Sequence, residues 1–362
     1  MIKIPLPDWH PEKWQYYEHT KVKHELLRKY LKGWISILGG YHERICYFDC
    51  FAGRGEYTKN GETIEGSPII ALKLAKKMKK YYGEFLITLI EKDKDNFENL
   101  KQKIEEEGKE DKIHIYFYNA SFSEVVGEIM EYLEEKNSQL YPSFFFIDPF
   151  GFSDVPSDLV AKILSYRKTE IFFTFMARDI NRFLNSEKHE NALSMLYWND
   201  EWKKAIRERD RETALVKLYE KQLKEFGNAK YILPFKVCMD QIRQTVYYLI
   251  HASNHFKAYK LMKDIAYKQS DGRFGFFGPD DNTRSLLQFR DPVDYIKEYL
   301  LENFSGQEII MSKLMENYYV NTPYIKSDIW RALQKLQEDR IIKITGLGSR
   351  GGYRKNAVIT IP

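Results

Sequence analysis

Four stretches of this chain combine carboxylates, glycines and rings in patterns suited to ligand chemistry. The first is Asp49-Cys50-Phe51-Ala52-Gly53-Arg54-Gly55. Glycines let a backbone turn tightly and approach a ligand closely. Two glycines alone mark an ordinary tight turn. A strand ending in Asp49 and followed by Phe51, Ala52, Gly53 and Gly55 is more specific. The second is Glu91, which closes the apolar run Phe85–Ile90. An acidic side chain at that position can accept both hydroxyls of a ribose. Its distance from Asp49 exceeds the usual spacing of about 20 residues, and the loop 56–66 with the helix after it accounts for the excess. Without the glycine loop, Glu91 would read as a solvated charge.

The third is Asn119-Ala120-Ser121, where dinucleotide-binding folds place a side chain near the adenine; Asn119 suits a plain turn equally well. The fourth is Asp148-Pro149-Phe150-Gly151-Phe152. It presents a carboxylate, a rigid Pro149 and a ring together. Asp148 can accept a hydrogen bond from an amine or hydroxyl and orient it for reaction. Phe150 or Phe152 offers a face for stacking on a base. The bland alternative is a proline turn with a capping Asp. Arg178, Asp179, Asn181 and Arg182 follow a further apolar run and are expected at the same edge, although Asp179 also suits a helix cap.

These residues need a scaffold that gathers them. Apolar runs at 44–49, 85–90, 113–118, 144–147 and 171–175 alternate with helical patterns, which predicts a parallel sheet covered on both faces. Ligands of such sheets bind outside the carboxyl ends of the strands, where all four stretches fall. A helix is expected over 20–38, ended by Gly39-Gly40, and another from Ser67-Pro68 with Ser67 as its cap. A charged helical stretch over about 179–228 reads as an insertion. Two closing strands and a helix over 255–268 follow, and a domain of residues 1–275 is expected. Beyond the Gly- and Phe-rich break at 272–279, three helices and a two-stranded wing predict a winged helix over 290–362. Its middle helix is expected to open at Ser305-Gly306-Gln307-Glu308 with a capping box. Lys326, Arg331 and Lys335 on its third helix and Arg350, Arg354 and Lys355 near the wing suit a nucleic-acid backbone.

Bulk properties set limits. With 43% apolar and 30% charged residues, the chain can bury a core. A net charge of +4 is too small for a polybasic binder, so cations would have to cluster. Three cysteines, Cys46, Cys50 and Cys238, do not make a disulfide framework. No apolar run is long enough for a membrane span and no signal-peptide core is present, so a soluble, cytoplasmic protein is expected.

The motifs together resemble one family. Thr20-Lys21-Val22-Lys23-His24-Glu25-Leu26-Leu27, Asp49-x-Phe-Ala-Gly-x-Gly, Glu65-Gly66-Ser67-Pro68, Phe146-Ile147-Asp148-Pro149-Phe150-Gly151, Phe175-Met176-Ala177-Arg178-Asp179-Ile180-Asn181-Arg182 and Tyr259-Lys260-Leu261-Met262 are similar, in this order, to the three-Cys-motif partner proteins. The resemblance covers about residues 14–270. It implies an α/β, Rossmann-like class I methyltransferase fold and S-adenosylmethionine as cofactor, held by Asp49, Phe51, Ala52, Gly53, Gly55, Glu91 and Asn119. It also implies a possible protein partner of the radical S-adenosylmethionine three-Cys-motif type, and it brings Lys23 and His24 toward the substrate alongside Arg178 and Arg182. The layout is similar as well to adenine-N6 methyltransferases of DNA and ribosomal RNA, but those carry a second Pro and then a ring where this chain has Phe150 and Gly151. Three readings follow: methyl transfer to a nucleic-acid base with Asp148, Pro149 and Phe150 at the reacting group; a non-catalytic partner module; and a metal-dependent nuclease using Asp49, Glu91 and Asp148.

Overall fold

The computed structural model describes residues 14–238, 245–269, 274–276, 291–322, 324–347 and 353–362. The chain divides into two compact units, residues 1–265 and 266–362.

In the first unit, helix α1 (Glu18–Leu38) buries Leu27, Tyr30, Leu31 and Trp34, a stripe at helical spacing. Next come β1 (Arg44–Asp49), the hairpin β2 (Glu56–Lys59) and β3 (Glu62–Glu65), α2 (Ser67–Lys77), β4 (Glu84–Ile90), α3 (Lys94–Glu106) and β5 (Ile113–Tyr118). Then follow α4 (Phe122–Glu135), β6 (Ser143–Ile147), α5 (Ser157–Ser165) and β7 (Thr169–Phe175). The insertion is α6 (Ala177–Phe183), α7 (Glu190–Leu196), α8 (Trp202–Ala205) and α9 (Arg211–Glu225), and β8 (Tyr231–Cys238), β9 (Thr245–Ser253) and α10 (Phe256–Gln269) complete the series.

Seven of these strands form one sheet in the order β8-β9-β7-β6-β1-β4-β5. The pairs from β7 to β5 are parallel, and β9 runs antiparallel to both β7 and β8. Numbered along the chain, the strands lie 3-2-1-4-5-7-6 with the seventh reversed. That order defines a Rossmann-like class I methyltransferase fold with a helical insertion. Its direction of winding changes between β1 and β6, where ligands of open sheets bind. Every residue of β6 and β7 is buried, as continuous apolar parallel strands require. Phe48 and Phe145 stack at 4.2 Å between centroids across that junction.

In the first unit the structure departs from local reading in two places. The loop 56–66 is a two-stranded hairpin turned by Asn60 (φ 52°) and Gly61 (φ 82°), the positive-φ pair of a tight primed turn. Helix α2 is capped by Gly66 instead of Ser67, which lies one position inside. The Gly66 N–H donates to Gly55 O at 2.8 Å, and a Cβ at Gly66 would sit 2.7 Å from that oxygen. Gly66 thus fastens the hairpin base to the glycine loop. The insertion is helical as expected, ending in the longer α9, and its rings close over the sheet: Tyr219 stacks on Phe175 at 4.6 Å, with Tyr197 and Trp202 buried beside it.

At the other end of the strands α1 is pinned by a buried polar group. Tyr30 donates its hydroxyl to Glu170 Oε2 on β7, and His251 Nε2 on β9 lies 3.3 Å from the same oxygen.

The second unit contains α11 (Pro292–Phe304), a short strand Glu308–Ile310, α12 (Met311–Asn321), α13 (Lys326–Glu338), and strands Lys343–Leu347 and Tyr353–Thr360. The three strands form an antiparallel sheet, giving a winged helix. The expected capping box at Ser305–Glu308 is absent. The Ser305 hydroxyl donates to Pro362 O at 2.9 Å, and Ile309 pairs with Ile359. Pairing with the last strand has claimed the segment, and α12 starts at Met311. The wing tip at 348–352, with Arg350, lies outside the described residues.

Candidate active site

The glycine loop is tied to both neighbouring strands. The Cys50 N–H donates to Phe146 O on β6, and the Ala52 N–H to Ile90 O on β4, both at 2.9 Å. Gly53 (φ 61°) and Gly55 (φ 85°) take the left-handed conformation that favours glycine. Glu91 is buried, and both its oxygens hold backbone: Oε2 accepts from Gly53 N at 2.8 Å, and Oε1 from Asp93 N at 2.7 Å. Burial is the largest influence on its carboxyl and raises its pKa.

Beside Glu91 opens a cavity of about 390 Å³ at the carboxyl ends of β1, β4, β5 and β6. Phe51, Glu91, Ser121, Phe122, Phe150 and Asp154 are among its walls. Phe51 and Phe122 stack at 5.8 Å, and Ser121 caps α4 by accepting from Glu124 N at 3.3 Å. The residues fit an adenosyl group: two apolar rings, a carboxylate with lone pairs left for hydroxyls, and a volume within the roughly 300–1,000 Å³ usual for small-molecule sites. Asn119 does not line this cavity. Its amide donates to Glu91 O at 2.9 Å and Lys92 O at 3.1 Å, fixing the end of β4.

Asp49 is fully buried at the end of β1 and accepts from Tyr47 Oη at 2.8 Å through Oδ2. Its Oδ1 has no hydrogen-bond partner, and an ammonium group would satisfy it. Burial pushes the Asp49 carboxyl up to about 7, Asp148 and Glu91 adding to the rise and the Ser67 and Tyr47 hydroxyls opposing it. The folded protein therefore binds a proton here that the unfolded chain has released above its ordinary carboxyl range. Stability from this group declines as pH rises through that window up to about 7. The expected result is that Asp49→Asn flattens the decline; urea denaturation midpoints between pH 5 and 8 check it. Parallel curves for both proteins would refute the assignment.

Sequence reasoning placed Lys23 and His24 near the substrate by resemblance alone, and the structure joins Lys23 to Asp148. The Lys23 ammonium donates to Asp148 Oδ2, with the two side chains 8% and 16% exposed. Lys23 also lies over the Tyr247 ring, 5.3 Å from its centroid. His24 is buried, and its Nδ1 has no partner. Burial first, then the Lys23 charge, lowers its pKa to about 3, so the imidazole is neutral. His24 contacts Tyr57 at 5.4 Å and Tyr16 at 5.6 Å. Pro149 is buried and Phe150 is 51% exposed. Arg178 and Arg182 flank Asp179 at 3.9 and 3.6 Å. Arg178 also helps hold the His19 pKa down, after burial and Lys23, at about 4. Arg182 is the more exposed of the two.

Trp14, Tyr57 and Tyr247 are at the site and were missed in the sequence. The Asn60-Gly61 turn with alternating neighbours would have revealed the hairpin that carries Tyr57; Trp14 and Tyr247 had no local signal. Asp49, Glu91 and Asp148 each have separate partners. Among the described residues no group of three or more His, Cys, Asp or Glu is placed to hold a metal ion.

Strand order defines the class: a methyltransferase-type fold, with a cavity at its topological switch, followed by a winged helix. Residues 267–346 match the family model described as GMT-like wHTH domain. A sequence comparison with curated proteins finds no match. Among solved structures, the chain is similar to protein LPL1258 from Legionella pneumophila, at 10% identity over 70% of this chain and 95% of that one, with a TM-score of 0.43. It is also similar to a human methyltransferase 10 domain containing protein, at 16% identity over 63% and 82%, with a TM-score of 0.31. An O-methyltransferase from Bacillus cereus in complex with SAH is similar at 10% identity over 62% and 80%, with a TM-score of 0.31. Likeness at this level adds nothing to the strand order, on which the fold class rests. Among the described residues no helix is long and apolar enough to cross a membrane.

Proposed function

We propose that the first unit binds S-adenosylmethionine and methylates a nucleic-acid base. The observation that carries the proposal is the Glu91 carboxylate, clamped to Gly53 N–H at the wall of an aromatic-lined cavity on the switch point. Glu91 accepts the ribose hydroxyls, the stacked Phe51 and Phe122 give the adenine an apolar wall, and Asp49 Oδ1 meets the ammonium of the amino-acid arm. When bound, the cofactor supplies an electrophilic methyl group. Asp148 accepts a hydrogen bond from the amine to be methylated, Lys23 orients that carboxylate through its own contact, and Phe150 offers a ring face. The winged helix adds backbone contacts through Arg354 and Lys355, which are exposed. On α13, Lys335 is paired with Asp339 at 2.8 Å and Arg331 lies 3.8 Å from Asp328, so that helix is the weaker anchor.

Tritiated cofactor with total DNA or RNA tests the reaction. Label enters nucleic acid with the wild-type protein and falls by about a hundredfold with Asp148→Asn, a loss of roughly 3 kcal/mol in transition-state stabilisation. One observation favours a second reading. Asp148 is already held by Lys23, as suits a non-catalytic partner of a radical S-adenosylmethionine three-Cys-motif protein. Absence of label, with stable co-purification of such a protein, selects that reading.

A further inference from the structure

The Asp148-Pro149-Phe150-Gly151 turn has no ring at Gly151, yet a ring reaches the turn from elsewhere. The backbone at Trp14 and Tyr16 pairs with Thr58 of β2: Thr58 N–H donates to Trp14 O, and Tyr16 N–H to Thr58 O at 2.9 Å. This pairing delivers the Trp14 indole to the gap between the glycine loop and the Asp148 turn. The indole stands edge-on to Phe150 at 6.1 Å and to Tyr57 at 5.3 Å. A Cβ at Gly53 would come within 2.4 Å of it, so the space that Gly53 leaves open is taken by this ring. Tyr57 continues to His24, and the neighbouring Lys23 holds Asp148.

We propose that the slot filled by the Trp14 indole is the acceptor-base site, and that its ligand is a purine base turned out of a nucleic-acid strand. Indole and purine share a fused six-and-five-membered outline. A purine between Phe150 and Tyr57 finds ring edges and faces on two sides. Its amino edge then faces the Lys23–Asp148 pair, where Asp148 accepts and Lys23 donates. Trp14 is half-buried, and its fastening to Thr58 is through backbone, so the side chain can swing out with the strand pairing intact. Trp14 is a competitor that the base displaces, and free protein carries that competition as a reduced apparent affinity. The inference rests on the methyltransferase reading.

The test titrates the full chain into a short single-stranded oligonucleotide carrying 2-aminopurine, whose fluorescence is quenched on stacking. Quenching of that base reports the slot and not the winged helix. Trp14→Ala removes the competitor, and the quenching transition moves to about tenfold lower protein concentration, the size of two edge-to-face ring contacts. Trp14→Phe falls between the two. Unchanged or weaker quenching in Trp14→Ala overturns the proposal, since Trp14 is then packing or a stacking partner. So does tighter S-adenosylhomocysteine binding with the oligonucleotide curve unmoved, which places the indole over the cofactor instead. Calorimetry of the wild-type protein with S-adenosylhomocysteine keeps the two readings apart: failure there sinks the cofactor assignment, while failure of the oligonucleotide shift alone sinks the slot.

Discussion

On the proposed cofactor assignment, Glu91→Ala is expected to lower S-adenosylhomocysteine affinity by about a hundredfold, or roughly 2.7 kcal/mol. Two losses combine. The ribose hydroxyls lose a charged acceptor, and hydrogen bonds to charged groups contribute about 1.5–3 kcal/mol each. The Gly53 and Asp93 N–H groups lose Oε2 and Oε1, so the loop that shapes the cavity must find new partners before ligand enters. Glu91→Gln separates these effects. Its carboxamide has one acceptor oxygen and cannot hold both amides while facing a ribose, so its affinity falls between the other two. Calorimetry reads the affinities, and circular dichroism shows whether the variants remain folded. A folded Glu91→Ala protein that binds within twofold of wild type would remove Glu91 from the site, and with it the main support for the cofactor.

Glu170→Ala is expected to lower stability by about 3 kcal/mol. Glu170 is buried where α1 crosses β7 and β9, and it accepts from Tyr30 with His251 Nε2 at 3.3 Å. Truncation leaves the Tyr30 hydroxyl and the His251 ring buried without their shared acceptor, and a buried polar group stripped of its partner costs about 1–3 kcal/mol. Tyr30→Phe removes one donor and keeps the ring packed, so it costs about 1 kcal/mol. Urea denaturation measures both. The group lies toward the amino end of β7, away from the cavity, so S-adenosylhomocysteine affinity in Glu170→Ala should match wild type. A loss below about 0.5 kcal/mol would mean that α1 is held by its apolar stripe alone.

The parallel strands were legible because their apolar runs are unbroken: Phe144-Phe145-Phe146-Ile147 has no polar face, and all of it is buried. Glu91 and Asp148 were legible as strand ends because each follows such a run directly. Other features depended on distant partners. Ser305–Glu308 carries the local marks of a helix start, but Ile309 pairs with Ile359 near the end of the chain, and no local pattern encodes that partner. Lys23 and Asp148 lie 125 residues apart. A lysine on a helix ordinarily marks a solvated face, and only packing of α1 against the sheet buries this one. The hairpin is a different case: Asn60-Gly61 announces it locally, and the charges around the turn obscured the alternation.

The burial of two of the three thiols gives this protein a built-in reporter position. Cys46 is buried within β1 and Cys50 in the glycine loop directly after it, and burial raises the first to about 11 and the second well above its ordinary value. Neither supplies appreciable thiolate at neutral pH, and thiolate is the species that reacts. Cys238, at the end of β8, is partly accessible. A maleimide dye added to the unaltered native chain will thus settle on Cys238 alone. Fluorescence experiments on this protein can begin without removing a single cysteine.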